Sequence, residues 1–479
     1  MKKMGWAAGW VLGTVLAVGG AAAAAQATGP DAIAPAVADP AIAAALREIS
    51  AAKVKADIET LVRFGTRNTL SSMETGLPEG QGINAASDWI TAEFGRISAG
   101  CGGCLEVKRD EFVEPAGTGP TSRVPRPTKL VNVYAVMHGT GGAAAPWVLV
   151  TGHYDSRATD VMDAKLTSPG ANDDASGVAV SLESARVLSK LKLTGTIVFV
   201  AVAGEEQGLN GSKHLAQLAK TEGWPLEAVL NNDIVGGDTT PGAVGQDKDA
   251  VRVFSENVPA SATEAEQKQM LTLGEENDSP SRELARTIAE LAPAYFEPGV
   301  KRKAPVFHPV MVLRRDRYLR GGDHTSFNGE GFAAVRFTEW RENFDHQHQT
   351  VRVENGVQYG DLLQYVDFEY AAKVARLNAA VLASLADAPS EPQRVRILTK
   401  ALDNNSELVW DAAGFAPAGT TYEVVWRGTD ELMWTHSQSA GAETHLKLQV
   451  SKDNVLFGVR SVSAAGHRSL PVAPLPVRE

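Results

Sequence analysis

The run WVLVTGHYDS, residues 147–156, decides how this chain reads. Trp147 to Thr151 is short, apolar and rich in β-branched side chains, the pattern of a strand covered on both faces. It ends directly in the polar pair His153 and Asp155. The same pattern recurs twice downstream, at TIVFVAVAGEE (196–206) and at AVLNND (228–233), and each apolar run again stops at carboxylates. Between these strands, Ala175 to Leu191 and Ser212 to Thr221 carry helical periodicity. Short apolar strands alternating with longer helices predict an α/β fold, a mixed and mostly parallel sheet sandwiched by helices.

Upstream, Ala44 to Arg63 places Leu46, Ile49, Val54, Ile58, Leu61 and Val62 at helical spacing, and a second helix covers Asn84 to Ile97. Strands follow at Leu105 to Val113 and Leu130 to Met137, joined by the Gly/Pro/Thr loop Gly117 to Thr128. Downstream, Thr239 to Leu319 breaks the alternation and reads as a surface insertion, with a polar segment from Glu264 to Ser281 and a helix to about Leu291. A strand at Ala333 to Thr338 and a helix from about Leu362 to Leu385 close the large domain. Ala388 to Glu391 reads as a linker. The remainder is short strands and turns, at Val395–Leu398, Glu407–Trp410, Tyr422–Arg427, His445–Val450 and Val455–Val462. Their spacing predicts a small β-sandwich, and this tail resembles a fibronectin type III module. The expected organisation is therefore a signal peptide (1–25), a leader (26–43), a large α/β domain (44–387), a linker (388–391) and a β-sandwich (392–479).

Bulk properties narrow the function. With 479 residues the chain exceeds a single ordinary core. Its 44% hydrophobic and 22% charged residues exclude a disordered chain and a polytopic membrane protein. A net charge of -11 disfavours nucleic acid and anionic membranes as partners. Lys2 and Lys3, the apolar stretch Met4 to Val18 and the small residues Gly19 to Ala25 read as a secretory signal cleaved after Ala25 or Ala27. The expected location is periplasmic or extracellular, without stable membrane association after cleavage. The two cysteines, Cys101 and Cys104, are then expected to form a small disulfide loop.

The polar residues at the strand ends carry the chemistry. Period two puts His153 and Asp155 on one side of the strand end, where Asp155 can orient the imidazole of a metal-binding histidine. Asn172-Asp173-Asp174 precedes a helix. Capping needs only one of these side chains, and a carboxylate at such a turn can bridge two cations. Glu205 and Glu206 repel each other unless cations or protons neutralise them. Glu206 can bind metal while Glu205 serves as a general base. Asp233 ends another strand, and Asp323-His324 lies in a Gly-rich loop. Together His153, Asp173, Glu206, Asp233 and His324 form a set of carboxylates and imidazoles without thiolates, a donor set that suits zinc. His346 and His348, in FDHQH, read as residues of the cleft rim or of loop stabilisation, and His214 and His308 have no supporting motif. Arg314, Arg315 and Arg317 read as a solvated basic turn, with a grip on a substrate carboxylate as the alternative.

The order His-x-Asp, Asn-Asp-Asp, Gly-Glu-Glu, Asn-Asp and Asp-His resembles family 28 of the metallopeptidases over roughly residues 45–386. The resemblance implies a zinc exopeptidase fold and two zinc ions bridged by Asp173. Glu206 and His324 would complete one site and His153 and Asp233 the other, with a cis peptide between Asp173 and Asp174. It leans to the bacterial leucyl-type aminopeptidases, which implies peptide substrates attacked from the N-terminus with Glu205 as base for a water held between the metals. A glutamate-releasing carboxypeptidase or a glutaminyl cyclase-like acyl transferase are the alternatives. The C-terminal module is expected to bind a surface or partner, or to stabilise the enzyme.

Overall fold

The computed structural model describes residues 32–296 and 306–479. The expected signal peptide and the start of the leader lie outside the described residues. The remaining leader leads into α1 (Pro40–Leu46), capped by Asp39, whose carboxylate accepts the Ala41 and Ile42 N–H groups. Ser50 then caps α2 (Ala51–Arg63), so the single helix expected over 44–63 is two. α3 (Ile83–Gly100) follows.

Eight strands form one sheet: β1 (Glu106–Glu114), β2 (Thr128–Met137), β3 (Trp147–His153), β4 (Thr196–Val202), β5 (Leu226–Asn232), β6 (Ala250–Ser255), β7 (His308–Val312) and β8 (Ala334–Glu339). Their spatial order is β1-β2-β4-β3-β5-β8-β6-β7. The central four, β4, β3, β5 and β8, run parallel, while β1, β2 and β6 enter antiparallel to their inner neighbours. The fold is the mixed α/β sheet that the strand–helix alternation predicts.

Strand alternation divides the core in two. Val148, Val150, Ile197, Phe199 and Ala201 face one layer. It is built from α1, α2, α3, α4 (Ala175–Leu188), α7 (Pro280–Phe296) and α9 (Phe368–Ala386). Leu149, Val198, Val200 and Val202 face the other layer, formed by α5 (Asn210–Thr221) and α8 (His324–Gly329). Apolar side chains at successive positions are therefore all buried, as in a sheet with both faces covered.

The stretch 239–319 is not a surface insertion. β6 and β7 extend the sheet beyond β8, and α7 buries Leu284, Ala285 and Ile288 in the main core. Only α6 (Glu264–Leu273) lacks a buried face, which is the part of this stretch whose polarity is visible in the sequence. A small hairpin, β9 (Arg352–Glu354) and β10 (Val357–Tyr359), precedes α9.

After α9 the chain forms β11 (Gln393–Leu398), β12 (Ser406–Asp411), β13 (Thr421–Gly428), β14 (His436–Gly441), β15 (His445–Leu448), β16 (Val455–Val462) and β17 (Leu475–Val477). They make sheets of order β15-β12-β11-β17 and β14-β13-β16 around Trp410, Tyr422, Trp426, Phe457 and Val459. β14 and β17 are absent from the sequence reading; their residues are short on apolar alternation. The connection before β11 is partly buried, with Ala388 inside and Ser390 bonded to Phe415 in both directions. Cys101 and Cys104 are joined by a disulfide. Among the described residues no helix is long and apolar enough to cross a membrane.

Candidate metal centre

Strand β3 lies between β4 and β5, so chain connections leave it in both directions. Such a switch point opens a crevice at the carboxyl ends of the strands. His153 is the last residue of β3, Glu205 and Glu206 follow β4, and Asp233 follows β5. Asp173 joins them from the loop before α4.

His153 points its Nε2 into the crevice, 3.2 Å from Asp173 Oδ1 and 3.9 Å from Asp233 Oδ1. Its Nδ1 faces Asp155, 3.4 Å from Oδ1 and 3.2 Å from the backbone carbonyl. A carboxylate behind the ring leaves the other nitrogen to bind metal. Asp155 also accepts from Thr69 Oγ1 at 3.0 Å and from the N–H groups of Glu205 at 3.2 Å and Glu206 at 3.1 Å. One buried side chain thus ties the ends of β3 and β4 together.

The peptide bond between Asp173 and Asp174 is cis. Asp174 accepts the Gly177 N–H at 2.9 Å, capping α4, and the His153 and Ile234 N–H groups at 3.0 and 3.3 Å. Its neighbour Asp173 is left for the crevice. Asp361 accepts the Asp173 N–H at 2.7 Å, and Gln347 donates to Asp173 Oδ2 at 3.2 Å. Arg67, fully buried, bonds the Tyr154 and Gly170 carbonyls and so fixes both loops.

The histidine brought beside Asp173 and Glu206 is His348; the expected ligand His324 lies in neither group of side chains that could hold a cation. His348 Nε2 lies 2.9 Å from Asp173 Oδ2 and 3.1 Å from Glu206 Oε1. Burial alone would depress its pKa, but Glu206 and Asp173 outweigh it and lift it to about 10. The loop carrying it is fixed by His346, whose Nδ1 is 3.2 Å from Asp238 Oδ1 and whose ring stacks on Tyr365 at 4.0 Å. His348 itself has a φ of 58°, left-handed and uncommon outside glycine. His324 turns instead to the 314–321 segment, with Nε2 2.8 Å from the Arg315 carbonyl and 3.6 Å from Asp316. It is the first residue of α8.

Among the described residues, two groups of side chains could each hold a cation, His153–Asp173–Asp233 and Asp173–Glu206–His348, and they share Asp173. The ligand atoms within each lie within 4.8 Å of one another. Glu206 Oε1 is buried without a hydrogen-bond partner, so it meets His348 as a fellow ligand would. Nitrogen and oxygen donors without thiolates fit zinc. Arg336, fully buried, sits 3.0 Å from Asp233 Oδ1, the oxygen that also faces His153.

Glu205 is half-buried and lines the same cavity as Asp173, Glu206, Asp233 and His348. Burial, with the adjacent Glu206 charge, holds its carboxyl well above the usual range although His153 pulls it down. A carboxyl on the cavity wall shared by both groups of candidate ligands is placed to serve as a general base.

His348, read from the sequence as a residue of the cleft rim or of loop stabilisation, lies at the centre, and Gln347, Asp361 and Arg67 escape the sequence reading. The signal for His348 is the spacing in FDHQH, where two histidines two residues apart flank a glutamine that also reaches the centre.

The Peptidase family M28 model matches residues 132–359. A probable zinc metalloprotease of Pyrenophora tritici-repentis (strain Pt-1C-BFP) is 44% identical over 441 residues, which cover 91% of this chain and 87% of the relative. Another, of Leptosphaeria maculans, is 44% identical over 436 residues, covering 91% and 97%. The solved LapA aminopeptidase of Legionella pneumophila is similar at 20% identity with a TM-score of 0.48, covering 72% of this chain and 73% of that one.

Proposed function

Because the chain belongs to peptidase family M28, we propose that it is an exported zinc aminopeptidase that removes N-terminal residues from peptides. The observation that carries this reading is the pair of ligand groups sharing Asp173, with Glu205 on the same cavity wall. His153, Asp173 and Asp233 would hold one zinc ion, and Asp173, Glu206 and His348 the other. Bound there, zinc supplies Lewis-acid polarisation of the scissile carbonyl and a nucleophilic water at neutral pH. Glu205 takes the proton from the attacking water as its oxygen bonds to the carbonyl carbon. It then returns that proton to the departing amine as the C–N bond breaks. Asp155 keeps His153 in the orientation that aims Nε2 at the centre. Export is supported by the basic, apolar and small-residue order of 1–25, and attack from the N-terminus by the resemblance to leucyl-type aminopeptidases. We assign residues 392–479 to a fibronectin type III-like module.

The test is Glu205→Gln. The variant is expected to retain zinc and lose turnover by roughly 10²–10⁴-fold, as read by metal analysis and peptide hydrolysis. Wild-type-like turnover would remove Glu205 from the reaction. Parallel assays on free, N-acetylated and C-amidated peptides read the polarity. An aminopeptidase cleaves the amidated substrate and spares the acetylated one; the reverse pattern identifies a carboxypeptidase.

A further inference from the structure

We propose that this cleft binds its substrate through a carboxylate, gripped by Arg157, Arg123 and Arg320 of its lining. The inference rests on the hydrolytic reading of the centre above and specifies the class of peptide it takes.

The cavity beside Glu205 measures about 450 Å³ and is also lined by Arg123, Arg157, Arg317 and Arg320. That size suits a short peptide end. Every acidic side chain on its wall, Asp173, Glu205, Glu206 and Asp233, belongs to the metal centre and its base. All other formally charged groups there, His348 apart, are arginines. A substrate lysine or arginine therefore meets no carboxylate outside the centre, whereas a substrate carboxylate meets several guanidinium groups.

These arginines are short of acidic partners. Arg157 donates only to the carbonyls of Ala158 and Thr159, at 3.1 and 3.0 Å, and Arg123 to the Glu206 carbonyl at 2.8 Å. Neither forms an ion pair among the described residues, and a guanidinium carries five N–H donors. Arg317 and Arg320 both rest on Glu342 Oε2, at 2.6 and 2.9 Å, and Arg252 takes the other oxygen at 3.1 Å. One carboxylate thus serves three cations. Arg317 is further tied to Asp316 at 3.0 Å and is the less available of the two. Arg320 keeps donors free, with its side chain 30% exposed. The planar fork of arginine pairs with carboxylates in two parallel bonds. Arg314, by contrast, stacks on Tyr318 and Arg315 is exposed; neither lines the cavity.

The carboxylate has two sources, the C-terminus of a short peptide or an acidic side chain. Calorimetric titration of the zinc-loaded Glu205→Gln protein separates them with four probes: Leu-Gly-Gly, Leu-Gly-Gly amide, Leu-Glu-Gly amide and Leu-Lys-Gly amide. We expect Leu-Gly-Gly or Leu-Glu-Gly amide to bind about tenfold or more tightly than Leu-Gly-Gly amide, and Leu-Lys-Gly amide to bind no better than it. Preference for the free acid assigns the C-terminus; preference for the glutamyl amide assigns the side chain. Adding Arg157→Gln or Arg320→Gln should reduce that preference to threefold or less while bound zinc stays unchanged. Equal affinity for all four probes, or a preference that survives both substitutions, overturns the proposal. If the wild-type protein still hydrolyses peptides in that case, the hydrolytic reading stands without it. A wild-type protein that hydrolyses none removes the reading on which the proposal rests.

Discussion

Asp173 is the side chain on which the centre depends, because both ligand groups use it and each of its oxygens faces a different histidine. Its placement is secured by Asp361, Gln347 and the capping role of Asp174 rather than by its own packing. Exchange of His348 should therefore affect one ion and leave the other. His348→Gln is expected to lose one of two zinc equivalents and on the order of 100-fold or more in activity. His324→Gln, which alters the contacts to the Arg315 carbonyl and Asp316, should keep both equivalents; metal analysis by mass spectrometry distinguishes the two. Removal of zinc by a chelator should abolish hydrolysis and lower the thermal midpoint, since the ions bind the folded state alone. His153, Glu206 and Asp233 were legible because each follows an apolar run that stops abruptly at a carboxylate or imidazole, and Asp173 because helix capping needs only one of Asn172, Asp173 and Asp174. His348 was not, because its loop is fixed by contacts distant in sequence, Asp238 and Tyr365, that no local pattern reveals.

At the scale of elements, the centre exists because β3, α4 and β5 approach one another closely at their ends. Gly152 is one cause. A Cβ there would lie 2.4 Å from the Gly177 carbonyl carbon and 2.6 Å from the Val178 nitrogen, so any side chain pushes β3 from the start of α4. Gly152→Ala is expected to cost about 1–3 kcal/mol in urea unfolding and to weaken zinc binding, because His153 moves with the strand. Unchanged stability would show that the two backbones can separate freely. The parallel centre of the sheet was readable from its short apolar runs, which need both faces covered. The edge was not: β6 and β7 sit in a stretch whose surrounding polar residues belong to α6, and the antiparallel entry of β6 beside β8 breaks the alternation.

Across the whole molecule, the C-terminal sheets are fastened to the catalytic part through buried charge. Arg427 pairs with Asp278 at 2.6 Å, Trp434 donates to Glu283 at 2.8 Å, and Arg460 and Arg468 converge on Glu290. The main core even includes Leu470. The sequence shows the β character of this tail, since its strands alternate locally. It does not show the joint, whose partners are 149 to 178 residues apart. Calorimetry should record one unfolding transition instead of two, and Arg427→Met, which leaves Asp278 with one fewer cation in a buried setting, should cost about 3–5 kcal/mol. Two separate transitions would make the tail an independent appendage. The convergence of loops from β3, β4 and β5 with the 343–349 segment is the claim on which the functional reading turns, and zinc-edge anomalous diffraction from zinc-loaded crystals tests it most directly. Two anomalous peaks are expected on either side of Asp173, one against His153 and Asp233 and the other against Glu206 and His348. A peak against His324, or a single peak remote from Asp173, would contradict it.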